Sequence, residues 1–225
     1  MAEVVKYRKP IRVLHWIHTG AFILLFLTGL ILFIPGLGFL AEDSWTRVIH
    51  RVGAVLFIVI PLIYLLISPK GAMNGLKKAF SWNSDDLGWL KAAPRYYFLG
   101  DKSEMPPQGE MNSGQKMWWF ITIVFGVIFV ITGLIMWFAK TTAGPGLLEW
   151  MVLIHDIAMI VTGAMLLLHV YLGVFHPMMT EAWKSMSKGT VSSEYAKSHH
   201  AKWYAEISQD AEIPQNAEIS QAKEE

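Results

Sequence analysis

The chain has 225 residues, 53% hydrophobic and only 16% charged, with a formal net charge of +1. Soluble domains carry roughly 25% charged residues, so this composition points to a membrane protein, and no nucleic-acid partner is expected. The absence of cysteine excludes disulfides, thiolate metal sites and cysteine-held iron–sulfur clusters within the chain.

Residues 1–12 read as a short basic arm with Lys6, Arg8, Lys9 and Arg12. The apolar run that follows continues to Pro35 without a small-residue cleavage site, so a retained spanning helix is expected in place of a signal peptide. Helix 1 is predicted over Val13–Ile34, with His15 and His18 on its first turns and Pro35-Gly36 ending it. Helix 2 is predicted over Arg47–Ile67 and carries His50 near its start. Pro61 lies inside it and should bend the helix without ending it.

The longest polar stretch spans 68–116. Two of its segments, LKKAF and WLKAAPRYYFLG, have the look of amphipathic pieces on a membrane surface, and MPPQGEMNSGQK reads as a loop. Helix 3 is predicted over Met117–Ala139, with Gly133 as a close-packing point. Helix 4 is predicted over Met151–Phe175 and holds His155 and His169. Fourteen residues at about 1.5 Å each separate these imidazoles by roughly 21 Å on nearly the same face, against a hydrocarbon core of about 30 Å. Tryptophans cluster at the ends of the apolar runs, where a bilayer interface favours them.

A short surface helix is expected within 180–204. Beyond it, AEISQD, AEIPQN and AEISQA repeat every six residues with few large apolar groups, so 205–225 is expected to be a flexible tail. The expected organisation is a four-helix transmembrane domain over 1–204, with a cytoplasmic loop at 68–116. The basic residues concentrate in the N-terminal arm, in 70–116 and in 176–204, while the other two connectors offer only Arg47, Arg51 and Lys140. Four spans put all three basic stretches on one side, which the positive-inside rule makes the cytoplasm, with both termini there.

That topology sorts four histidines into two pairs. His15 and His169 fall near the cytoplasmic face, and His50 and His155 near the outer face. An imidazole in hydrocarbon is costly unless partnered. Two neutral imidazoles facing across a gap suit a bis-histidine b haem, whose iron carries electrons and has no open position for substrate. The expected class is thus an all-α membrane protein, a four-helix bundle with bis-histidine b haems. Arg12, Arg47 and Arg51 are candidates to pair with haem propionates. Packed structural histidines, or a proton or metal transporter, are the competing readings. His18 could be a further ligand, a quinone contact or a plain interfacial residue, and His176 is equally open. His199 and His200 are expected to be solvated. Gly29, Gly53 and Gly163 suit close approach of helices or haem, and helix packing alone would also explain them.

The segments RVLHW, RVIHRVG, NSGQKMWW, VLIHD, LLLHVYLGVF and GTVSSEYAKSHHAKWYAEI together resemble the gamma subunit of membrane-bound formate dehydrogenase, a diheme cytochrome b, over residues 7–207. The resemblance implies two haems, on His50/His155 and on His15/His169. It also implies a menaquinone site at Asn112, Gly114 and Gln115, close to His169. A helix cap at Asn112 or Ser113 is the competing reading of that loop. The implied setting is the bacterial inner membrane. The implied partners are an iron–sulfur subunit with its own membrane anchor and a molybdenum or tungsten catalytic subunit. Related cytochromes b serve hydrogenases and thiosulfate reductases, and a haem-free anchor is a further alternative.

Overall fold

The computed structural model describes residues 2–209. Four of its helices are long and apolar enough to cross a membrane. In chain order the elements are β1 (Glu3–Val5), α1 (Lys9–Phe33), a 3-10 segment (Pro35–Ala41), α2 (Trp45–Ile67), α3 (Pro69–Phe80), α4 (Ser84–Leu99), α5 (Ser113–Phe138) and α6 (Pro145–Val170). A π-helical turn (Tyr171–Phe175), α7 (Thr180–Ser187), β2 (Thr190–Ser192) and α8 (Ser193–His199) follow, and 201–209 are again helical. The helical membrane class expected from the sequence is what the fold shows, with one two-stranded sheet added to it.

The chain divides into two compact units. Lys9–Ala79 with Trp118–Leu172 form a helical unit, here called the bundle. The described residues of 1–8, 80–117 and 173–225 form a second unit, here called the cap. The polar stretch 68–116 therefore does not act as one piece. Most of α3 belongs to the bundle, and α4 with the loop after it belongs to the cap.

The bundle turns apolar side chains outward. Leu27 on α1, Leu66 on α2, Val127 on α5 and Leu167 on α6 are all exposed. Helices apolar on the outside as well as the inside suit a lipid environment. Close packing needs small residues at a few points. A Cβ on Gly163 of α6 would collide with the Phe26 ring of α1, and one on Gly53 of α2 would stand 3.3 Å from Leu25. Pro61 is accommodated inside α2, as expected.

The cap has its own core of Met179, Val191, Tyr195, Ala196 and Trp203, all buried. The N-terminal arm becomes β1 and pairs antiparallel with β2, with Val4 opposite Val191. The expectation of one surface helix in 180–204 is thus corrected. The apolar and aromatic residues interspersed with its charges make this segment the centre of a small domain. Residues 205–209 of the expected tail are helical, and 210–225 lie outside the described residues.

At the start of α4, Asn83 and Asp86 close a capping box, each side chain accepting from the other's backbone N–H. Asp86 is only 2% exposed. It also accepts from Ser113 Oγ at 2.7 Å and from Lys116 Nζ at 2.9 Å, both in the first turn of α5. Burial alone would raise the Asp86 pKa. The hydrogen bonds from Ser113, Lys116 and the Asn83 N–H outweigh it, and the net shift is downward.

Replacing Asp86 with Asn should destabilise the cap by about 3 kcal/mol, because Lys116 is left largely buried without its counter-charge. Because the carboxylate's folded pKa is depressed, its stabilisation is full above the ordinary carboxylate pKa. It is lost as pH falls through the folded value. Limited proteolysis of the cap at pH 7 and pH 3 is the check. The difference between Asp86→Asn and wild type should be large at pH 7 and shrink at pH 3.

A candidate haem-binding site in the helix bundle

His50 on α2 and His155 on α6 face each other with ring centres 6.4 Å apart. Two imidazoles on opposite sides of one metal, with bonds of about 2 Å each, place their ring centres roughly 6 Å apart. The spacing fits a single iron between them.

The hydrogen bonds fix the chemistry of these rings. Thr28 Oγ1 donates to the Leu24 carbonyl at 2.7 Å, one turn back on α1. Its oxygen is then the acceptor for His50 Nδ1–H, at 2.8 Å. The same device recurs on α5. Thr132 Oγ1 donates to the Ile128 carbonyl at 2.7 Å and accepts from His155 Nδ1–H at 2.7 Å. With the proton held on Nδ1 in both rings, each Nε2 presents a lone pair, the form a metal requires. Both threonines are buried.

Two glycines leave room beside these rings. A Cβ on Gly29 would lie 3.0 Å from Met159 Sδ and 3.8 Å from His50 Cε1, and one on Gly133 would lie 3.7 Å from His155 Cε1. Gly29 therefore serves both helix packing and the histidine. The donor set, the tautomers and the spacing together fit a bis-histidine b haem at His50 and His155.

His15 on α1 and His169 on α6 are within electrostatic reach of each other. Trp118 on α5 stacks flat on His169, with ring centres 4.9 Å apart and planes at 11°. The Nδ1 atoms of His15 and His18 are buried without a hydrogen-bond partner among the described residues. No threonine sets the tautomer of His15 as Thr28 does for His50. The residue types fit a second haem, and its ligand orientation is the less constrained of the two. His18 rests against the Phe57 ring at 4.5 Å.

Arg47 Nη1 donates to the Ala41 carbonyl at 2.5 Å, and the Arg51 guanidinium lies 5.2 Å from the centre of the Trp137 ring. His176 is buried in the cap. Its Nε2–H donates to the Tyr97 carbonyl, and its Nδ1 accepts from the Met178 N–H. His200 is not solvated, contrary to expectation, and His199 is half-buried. His199 stacks on Tyr195 with ring centres 4.1 Å apart, and His200 is 1% exposed.

In the cap, Asn112 and Gln115 close a second capping box at the start of α5. Gln115 N–H donates to Asn112 Oδ1 at 2.8 Å, and Asn112 N–H to Gln115 Oε1 at 3.0 Å. A Cβ on Gly114 would lie 2.7 Å from the Trp89 ring. These three residues therefore have a structural role whatever else they touch. Asn112 also lines a cavity of about 200 Å³ with Trp89, Tyr97, Pro106, Gln108 and His199.

Paired histidines inside an apolar four-helix bundle define an integral membrane cytochrome b. The chain belongs to the prokaryotic cytochrome b561 family, whose model matches residues 6–189. It is 26% identical over 217 residues to the formate dehydrogenase cytochrome b556(fdo) subunit of Escherichia coli K12, covering 93% of this chain and 95% of that one. The nitrate-inducible formate dehydrogenase cytochrome b556(Fdn) subunit of the same strain is 28% identical over 206 residues, 87% of this chain and 88% of that one. The formate dehydrogenase cytochrome b556 subunit of Haemophilus influenzae is 25% identical over 220 residues, 91% and 83% respectively.

Nothing in a residue-type scan of the sequence singles out Thr28 or Thr132, which read as ordinary helix residues. The usable signal is relational: each stands on a helix that packs beside one of the two facing histidines. Thr28→Val and Thr132→Val should each leave the fold intact and weaken haem retention at the His50/His155 pair, by about 10-fold to 100-fold in affinity. Haem content after detergent washing checks this. Loss should be confined to the haem held at His50 and His155.

Proposed function

We propose that this chain is the membrane-anchoring cytochrome b subunit of a formate dehydrogenase, carrying electrons across the bilayer to menaquinone. The reading rests first on α6. It carries His155 and His169 fourteen residues apart, about 21 Å along the helix, with His155 already facing His50 in metal-binding form. One helix thus contributes a ligand to each of two haem positions. The near full-length likeness to formate dehydrogenase cytochrome b556 subunits supports the choice of donor.

A b haem held by two imidazoles supplies one-electron transfer and no substrate position. The chain's own residues hold and insulate it. His50 and His155 would ligate the outer haem, each keeping its proton on Nδ1 and donating it in a hydrogen bond to Thr28 or Thr132. His15 and His169 would ligate the cytoplasmic-side haem, with Trp118 covering the face of His169. Apolar helix faces keep water away, so a charged imidazolium is disfavoured and the ligand form is favoured.

Menaquinone is proposed to bind at Asn112, Gly114 and Gln115. The capping box uses the side-chain oxygen of Asn112 and not its NH₂ group, which is the donor for a quinone carbonyl. The proposed partners are an iron–sulfur subunit with its own membrane anchor and a molybdenum or tungsten catalytic subunit outside the membrane. The proposed location is the bacterial inner membrane, with both termini in the cytoplasm. Protons for the quinol then come from the cytoplasm, and the transfer is electrogenic.

The test is haem quantified per chain, with a reduced-minus-oxidised spectrum, in wild type, His50→Ala and His169→Ala. Two b haems in wild type and one in each variant are expected. A single haem in wild type would sink the two-haem relay.

A further inference from the structure

The N-terminal arm buries a lysine. Lys6 is 8% exposed although it lies only six residues into the chain. Its Nζ stands 2.5 Å from Nε2 of His200, a residue 194 positions later that is itself 1% exposed. His200 Nδ1 lies 2.8 Å from the Gly109 carbonyl, which can only accept, so the ring proton is on Nδ1 and Nε2 accepts from Lys6. The ammonium also lies 5.2 Å from the Trp203 ring centre and 5.8 Å from that of Tyr7. A buried amine with a neutral imidazole as its close partner is an expensive arrangement for simple packing.

The surroundings lead toward the loop that starts α5. The Gln115 side chain interacts with the Tyr7 hydroxyl, and the Glu110 carboxyl is within electrostatic reach of both Tyr7 and Lys6. The titratable groups facing Lys6 are thus His200 and His199 from the C-terminal segment, Glu110 from the loop before α5, and Tyr7 beside it. Every residue of this network lies within the cap.

We propose that Lys6 is a proton-loading residue that feeds quinone reduction at Gln115 by way of Tyr7 and Glu110. This rests on the menaquinone reading above. A quinone becomes a quinol by taking up two electrons, which the formate-driven chain supplies, and two protons. Each proton leaves the Lys6 ammonium in the direction of the Tyr7 hydroxyl and Gln115. Cytoplasmic water then returns a proton to the Lys6 amine, so Lys6 discharges and reloads twice per quinol. Burial lowers the Lys6 pKa to about 7, opposed by the nearby Glu110 charge. Burial, with the Lys6 charge, lowers that of His200 to about 3, so His200 stays neutral and only accepts. Lys6 is therefore charged below neutral pH and uncharged above it, the balance a proton donor needs near its working pH.

The experiment uses the full chain loaded with haem, in proteoliposomes. The haem is reduced with limiting dithionite and mixed with menadione between pH 5.5 and 9, and its re-oxidation is followed by absorbance. The wild-type rate should fall as pH rises through about 7. Lys6→Met should re-oxidise about 10-fold more slowly and lose that pH dependence. Lys6→Arg, charged throughout, should give a flat profile, and Tyr7→Phe should slow the rate while keeping the ring. The haem spectrum should be unchanged in all three. Nitrogen NMR on chain carrying lysine labelled at Nζ adds a readout free of turnover: one lysine should titrate near pH 7 in wild type and be missing from Lys6→Met. Wild-type rates and pH profile in Lys6→Met, with haem intact, would overturn the relay alone and leave Lys6 as a clamp between the chain ends. A wild-type haem that menadione does not re-oxidise would overturn the relay together with the quinone reading.

Discussion

An imidazole placed in a membrane bundle has two nitrogens to satisfy, and only one can be given to a metal. In this chain the other is given to a threonine whose own hydroxyl proton is spent on the carbonyl one turn back in its helix. A hydroxyl that donates to its own backbone becomes an obligatory acceptor. The histidine has no choice of tautomer. The device appears once on α1 and once on α5, so α2 and α6, which carry His50 and His155, are each locked to a neighbouring helix by the same contact that fixes the imidazole tautomer. Packing and cofactor chemistry share one set of hydrogen bonds.

The glycines follow from the same demand. Two helices that must bring imidazoles to a common centre have to run close together. Gly163 of α6 accepts the Phe26 ring, and Gly29 of α1 leaves space for both Met159 and His50. A larger side chain at either place would push apart the helices whose side chains must converge. The polar part of the chain solves a different problem. Its core is a few aromatic and aliphatic residues, and it gains definition from ionic and capping contacts such as Asp86 with Ser113 and Lys116.

Much of the bundle was legible in the sequence because a bilayer imposes simple rules on length and hydropathy. The four spans, the tolerated Pro61 and the pairing of His50 with His155 all follow from them. Helix ends were less legible: α5 begins four residues before its apolar run, because Asn112 and Gln115 cap it. Thr28 and Thr132 were invisible because their role depends on which helix lies beside which. His200 was misread because it sits in a charged, polar stretch, and nothing local says that Val191, Tyr195 and Trp203 gather around it to form a core. The strand in the basic arm was not visible for the same reason. Glu3, Val4 and Val5 form a strand only because β2 exists some 190 residues later.

That last pairing sets an order of assembly. The bundle's residues end at Leu172, so all of them are made before the last strand and helix of the cap. The cap cannot close then, because β1 waits for Thr190–Ser192 and Lys6 waits for His200. Contacts this distant in sequence form late, after local helices are in place. During synthesis there is thus an interval in which the four helices are present and the cap is still open. Cofactor insertion into the bundle has its natural window in that interval, and the pairing of β2 and His200 with the N-terminal arm is the step that closes it.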